Sequence, residues 1–173
     1  NFEDQRIYTC TGSDDPVPLT ADTGERHADM VLDSAHGRLV CVRESHIDDA
    51  VVNELVGVDL STGASEVLVA GHDFVSNPRL SPDGSRLCWV SWELPDMPWD
   101  GATLWVSEIE IDGRLAEPRR IAGGDGVSVF QPEWAADGEL YFVCDTAGWW
   151  NLHVWNGDRV SVAGAFDGRG FGG

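Results

Sequence analysis

The 173-residue chain contains no lysine, and its 11 basic residues, all arginine, face 30 acidic ones for a net charge of -19 at pH 7. So little positive charge argues against binding nucleic-acid backbones, which need clustered cations, and equally against a footing on anionic membrane surfaces. No apolar run approaches the roughly 20 residues of a membrane-spanning helix. The four cysteines, Cys10, Cys41, Cys88 and Cys144, include no C-x-x-C pair, which disfavours a zinc knuckle or a thioredoxin-type site. Two readings of them stand open: buried free thiols acting as small hydrophobes, the commoner state, or a disulfide. No stretch holds an i, i+3, i+4, i+7 apolar pattern long enough to specify a helix. A G-x-S-x-G nucleophile elbow is also missing. The nearest string, Gly126-Val127-Ser128-Val129-Phe130, lacks the second glycine, so an activated serine is not expected and no catalytic residue is assigned. Gly123-Gly124-Asp125-Gly126 has neither the lysine of a phosphate loop nor the spacing of a dinucleotide fingerprint, and no cofactor is expected.

What is present points to β-structure. Hydrophobic residues make up 42% of the chain at a mean hydropathy of -0.19, enough for a packed core. Twenty glycines and eight tryptophans indicate many short turns and large aromatics, the habit of hairpin-rich all-β proteins. A repeat organises them. Ser81-Pro82-Asp83-Gly84, Ala135-Ala136-Asp137-Gly138 and Ser34-Ala35-His36-Gly37 each precede an apolar run, and their glycines lie 47 and 54 residues apart. Propeller blades repeat at about this period.

Each copy reads as four short strands. The middle one is Phe74–Leu80, Arg86–Trp92, Thr103–Ile111 and Arg119–Ala122, with turns at the Asp-Gly pairs, which tolerate positive φ. The first copy is Asp29–Leu32, Arg38–Arg43, Val51–Leu60 and Glu66–Ala70; the last is Phe130–Trp134, Leu140–Cys144, Asn151–Trp155 and Arg159–Ala163. Asp33 stands where the other copies have Leu80 and Trp134, and His36 replaces the turn aspartate. The expected fold is therefore all-β, a partial β-propeller of about three and a half four-stranded antiparallel blades. Residues 1–20 form the last two strands of an upstream blade; blades follow at 21–71, 72–123 and 124–164, and 165–173 starts a next one. Complete propellers need four to eight blades, so the chain reads as a segment of a longer protein.

The Ser-Pro-Asp-Gly turn with its apolar strand resembles the repeat of TolB-like propellers and of the propeller domains of prolyl oligopeptidase family serine peptidases. Leu94-Pro95-Asp96-Met97-Pro98-Trp99-Asp100-Gly101 with Leu104-Trp105-Val106 is similar to a segment of the acylaminoacyl-peptidase and dipeptidyl-aminopeptidase branch. So is Phe130-Gln131-Pro132-Glu133-Trp134 with Gly148-Trp149-Trp150-Asn151-Leu152. The resemblance implies a propeller that caps a C-terminal α/β-hydrolase domain, gates the entry of short peptides and sits in the cytoplasm. With no G-x-S-x-G elbow among its residues, this chain alone is expected to be inert. The competing reading is a non-enzymatic TolB-like propeller serving as a protein-interaction module.

The densest polar cluster is Arg43-Glu44 with His46, Asp48 and Asp49, placed between the second and third strands of the first copy. By the same resemblance, Glu44 and Arg43 are candidate substrate contacts, a carboxylate suiting an ammonium and an arginine a carbonyl or carboxylate. The plainer reading is a solvated loop. The spacing of His46, Asp48 and Asp49 matches no EF-hand loop, and no metal is expected. His72-Asp73 reads as a structural pair. Trp89, Trp92, Trp105, Trp134 and Trp155 fall in strands and are expected to fill the wedge between blades, whereas Trp99, Trp149 and Trp150 lie in or beside loops. An open propeller segment exposes apolar blade faces, so self-association is expected, with two chains completing one ring.

Overall fold

Apolar residues alternating with a period of two, interrupted by Asp-Gly-type turns, bury one another when each repeat folds back on itself as a meander. In the computed structural model, which describes residues 3–48 and 50–163, every repeat does so. A short pair, β1 (Tyr8–Thr9) and β2 (Val17–Pro18), comes first. The next sheet holds β3 (Arg26–Asp33), β4 (Arg38–Ile47), β5 (Ala50–Asp59) and β6 (Ser65–Val69). Another holds β7 (Phe74–Leu80), β8 (Arg86–Trp92), β9 (Ala102–Glu108) and β10 (Arg119–Gly124). The last holds β11 (Val129–Trp134), β12 (Leu140–Cys144), β13 (Asn151–Trp155) and β14 (Val160–Val162). Each four-stranded sheet is antiparallel with sequential neighbours paired, and no helix occurs among the described residues. Over the described residues the protein is all-β, a partial β-propeller of three four-stranded blades and a further strand pair. It divides into two compact units, Asn1–His72 and Asp73–Gly173. The stretch expected to start another blade, 165–173, lies outside the described residues, as does Asp49.

In the second unit the two blades close on a shared core. Cys88, Val90, Leu104 and Val106 from β8 and β9 meet Val129, Leu140, Phe142 and Trp155 from β11, β12 and β13, all at 4% exposure or less. Trp134 meets Trp155 edge-on with ring centroids 6.2 Å apart, and the Arg86 guanidinium lies 4.8 Å over Trp134. All five strand tryptophans lie in strands. Trp99 and Trp149 are exposed. In the first unit, Ile7 and Leu19, flanking β1 and β2, pack on Cys41, Val56 and Val58.

The repeat reaches into the backbone at a level the sequence pattern does not show. The first strand of every blade carries a register shift against the second, between Ala28 and Val31, Ser76 and Arg79, and Phe130 and Glu133. One residue in each shift has a left-handed φ: Asp29 at 55°, Asn77 at 52° and Gln131 at 51°. A bulge of this kind turns the strand more sharply and re-aims its side chains, and none of the three is a glycine that would announce it.

The first copy's two departures from the repeat explain each other. Asp33, 1% exposed, accepts hydrogen bonds from Arg38 Nε at 2.9 Å and from His36, whose Nδ1 lies 2.9 Å from Oδ2. The turn histidine and the arginine thus supply the polar partners that a buried carboxylate needs and that a leucine in its place would not. The conventional turn in the middle copy works differently: Asp83 accepts from Ser81 and from the backbone and side chain of Ser85, which hold its carboxyl at about 2.

All four cysteines are free thiols, which settles the alternative left open above. Burial pushes the Cys41 and Cys88 thiols up to about 12 and raises Cys144, so these three are poor nucleophiles at neutral pH. Cys10 is exposed. The native protein should therefore present one rapidly reacting thiol to an aromatic disulfide reagent, and four after unfolding. Rapid reaction of a second thiol in the native state would contradict this burial.

Candidate functional site

Among the described residues, the cluster from Arg43 to His46 lies in a strand rather than a loop. β4 and β5 pair continuously from Arg38↔Asp59 to Ile47↔Ala50, so residues 44–47 belong to the ladder and only the turn at Asp48, φ 53°, remains outside it. Pairing satisfies backbone groups that a solvated loop would leave to water, and the β-branched Ile47, Val51 and Val52 favour the extended state. Adjacent strand residues point to opposite faces, so Arg43 and Glu44 are separated rather than brought together.

On one face His27, Arg43 and Glu54 form a row across β3, β4 and β5. Arg43 Nη2 donates to Glu54 Oε2 at 2.5 Å, and Nη1 lies 3.3 Å from Glu25 Oε1. Burial pushes the pKa of His27 down, so an uncharged ring sits beside the guanidinium. Glu25, Arg43, Ser45, His46, Val52 and Glu54 line a cleft of about 480 Å³. Two carboxylates facing one guanidinium give this wall a negative surplus, suited to receiving an ammonium group while the arginine addresses a neighbouring carbonyl. On the other face, Glu44 Oε1 accepts from His46 Nε2 and Arg26 Nη1, each at 2.8 Å, and these partners, His46 foremost, hold its carboxyl below the usual range. Glu44 therefore touches the cleft only through His46.

Glu25 and Glu54 escaped the reading of the sequence. Glu54 had a signal: it and Arg43 are equidistant from the Asp48-Asp49 pair, as a two-residue hairpin turn there requires. Glu25 lies before β3 and had none.

The remaining motifs resolve as structure. Asp73 accepts the Leu94 N–H at 2.8 Å and anchors the segment that follows β8. Gly123, φ 82°, sits where a Cβ would lie 1.8 Å from the Ala102 carbonyl oxygen, so the glycine run permits close backbone approach between β10 and β9. Ser128 is fully buried; its N–H donates to Asp145 Oδ1 at 2.7 Å and its hydroxyl to the Pro98 carbonyl, tying two loops together. Among the described residues no group of three or more His, Cys, Asp or Glu is placed to hold a metal ion.

The blades and their bulged first strands define a propeller. No known family model matches the chain, and no curated protein does. Among solved structures, a puromycin-hydrolysing peptidase of Mycobacterium tuberculosis is 35% identical over 94% of this chain with a TM-score of 0.83. A puromycin hydrolase is 36% identical over 92% with a TM-score of 0.81. The chain spans only 28% and 27% of those proteins. TolB of Acinetobacter baumannii, 14% identical with a TM-score of 0.60, shares the fold. The chain is homologous to the propeller portion of the puromycin-hydrolysing peptidases, enzymes of the prolyl oligopeptidase family.

Proposed function

We propose that this chain is the propeller portion of a peptidase in the acylaminoacyl-peptidase and dipeptidyl-aminopeptidase branch, and that it gates short peptides and small aminoacyl amides toward a C-terminal α/β-hydrolase domain. The 35–37% identity to puromycin-hydrolysing enzymes over 88–94% of the chain carries the reading, and their names place puromycin among the compounds to test. In this proposal Glu25 and Glu54 receive the substrate's free amino group, Arg43 addresses the adjacent carbonyl, and Glu44 positions His46 at the rim. The chain alone hydrolyses nothing. The reading frame beyond Gly173 tests the proposal: a hydrolase domain with a G-x-S-x-G elbow supports it. Its absence would favour a non-enzymatic interaction module.

The isolated chain is further proposed to pair with a second copy. Tyr141 and Val143 on β12 and Leu152 and Val154 on β13 form a half-buried apolar face opposite the buried Leu140, Phe142 and Trp155. Such a face favours association, and a ring completed by two chains would cover it. Light scattering should show a dimer that Val143→Asp weakens; a monomer at all working concentrations sinks the idea.

A further inference from the structure

A second cavity, of about 290 Å³, lies wholly within the second unit, between β10 and strands β12, β13 and β14 of the last blade. Its wall combines Arg120 with Val127, Phe142, His153, Val160 and Thr146. The Arg120 guanidinium lies against Gly124, whose hypothetical Cβ would fall 2.7 Å from Nη2, and it makes no hydrogen bond or ion pair among the described residues. In a chain with so few cations, most of them occupied by carboxylates or aromatic faces, an unoccupied guanidinium beside a cavity stands out chemically. His153 is 5% exposed and doubly fixed. Its ring stacks on Phe142 with centroids 5.7 Å apart and planes 13° from parallel, and Nδ1 donates to the Asn151 carbonyl at 2.9 Å. That bond leaves Nε2 as the ring's acceptor, without a partner among the described residues. Apart from Thr146 and the Cys144 thiol, the remaining wall is apolar.

We infer that this cavity binds the C-terminal residue of a peptide, with the free carboxylate on Arg120, the adjacent amide N–H on His153 Nε2, and an apolar side chain against Val127, Phe142 and Val160. The cavity's donor for an anion, rigid acceptor and apolar space find all three complements together in that ligand, whereas an amidated peptide lacks the anion and a simple acid lacks the N–H. Planar guanidinium suits carboxylate, and the prefixed imidazole loses little freedom on binding. The volume suits a residue of leucine size rather than a longer segment. The site lies in the other unit from the Glu25–Arg43–Glu54 cleft and does not depend on its assignment.

Calorimetric titration of the 173-residue chain with N-acetyl-leucine tests the inference. Saturable binding is expected, at least about tenfold tighter than for N-acetyl-leucinamide, which keeps the shape and loses the charge. The exposed Arg120→Gln should weaken N-acetyl-leucine by about tenfold without affecting the fold. His153→Phe should weaken N-acetyl-leucine and leave 4-methylpentanoate, which has no amide N–H, unchanged. Absence of saturable binding, equal affinity for acid and amide, or an unaltered affinity in Arg120→Gln would overturn it.

Discussion

Asp33→Ala is expected to lower the free energy of unfolding by about 3–5 kcal/mol, the cost of removing one partner from a buried ion pair. Asp33 is 1% exposed and Arg38 has a side chain only 8% exposed, with Nε 2.9 Å from the carboxylate. The variant removes the carboxylate partner of a side chain held in place, since Arg38 packs over Gly57, where a hypothetical Cβ would fall 2.8 Å from its Cδ. His36 loses its Asp33 carboxylate partner as well. The double variant Asp33→Leu with Arg38→Met should behave differently. It restores the apolar character that Leu80 and Trp134 give the other blades, and replacing a whole buried pair is often neutral or stabilising. Urea unfolding followed by tryptophan fluorescence measures both. A single variant costing less than about 1 kcal/mol, or a double variant no better than the single one, contradicts the account of this cluster.

Glu54→Gln, made in the longer protein, is expected to reduce kcat/KM for a substrate with a free amino terminus by about 30-fold or more, the scale of truncating one partner of a desolvated charge pair. The loss should fall mainly on KM, because the carboxylate is proposed to hold the ammonium in both ground and transition states. The same variant should leave an N-acylated substrate nearly unaffected, since that substrate brings no cation to the cleft. Glu44→Gln should change kcat/KM far less, because Glu44 faces Arg26 and His46 on the opposite side of β4. Equal losses for free and acylated substrates would show that Glu54 acts through folding.

Most of the fold was legible because the strands carry their own punctuation. Apolar runs bounded by Asp-Gly turns specify meanders, and β7 and β8 at Phe74–Leu80 and Arg86–Trp92 run over the residues their pattern demands. The bulges at Asp29, Asn77 and Gln131 were not legible, since a left-handed residue that is not glycine leaves no compositional mark. Nor were the extended ends of β4 and β5, where charged residues that usually mark solvated loops are instead held by cross-strand partners. The cleft was half legible for the same reason. Arg43 and Glu44 look like a pair in sequence, yet alternation along a strand separates them, and the carboxylates that reach Arg43 come from β5 and from the segment before β3. Cys41, Cys88 and Cys144, similar in the repeat, also part company: Cys41 packs beside Ile7, while Cys88 and Cys144 join the core of the second unit.

The most direct measurement is puromycin hydrolysis by the longer protein carrying these residues, run beside the 173-residue chain alone. Turnover is expected from the longer protein and none from the chain alone. Failure of the longer protein to cleave puromycin or any short peptide, or turnover by the chain alone, would contradict it.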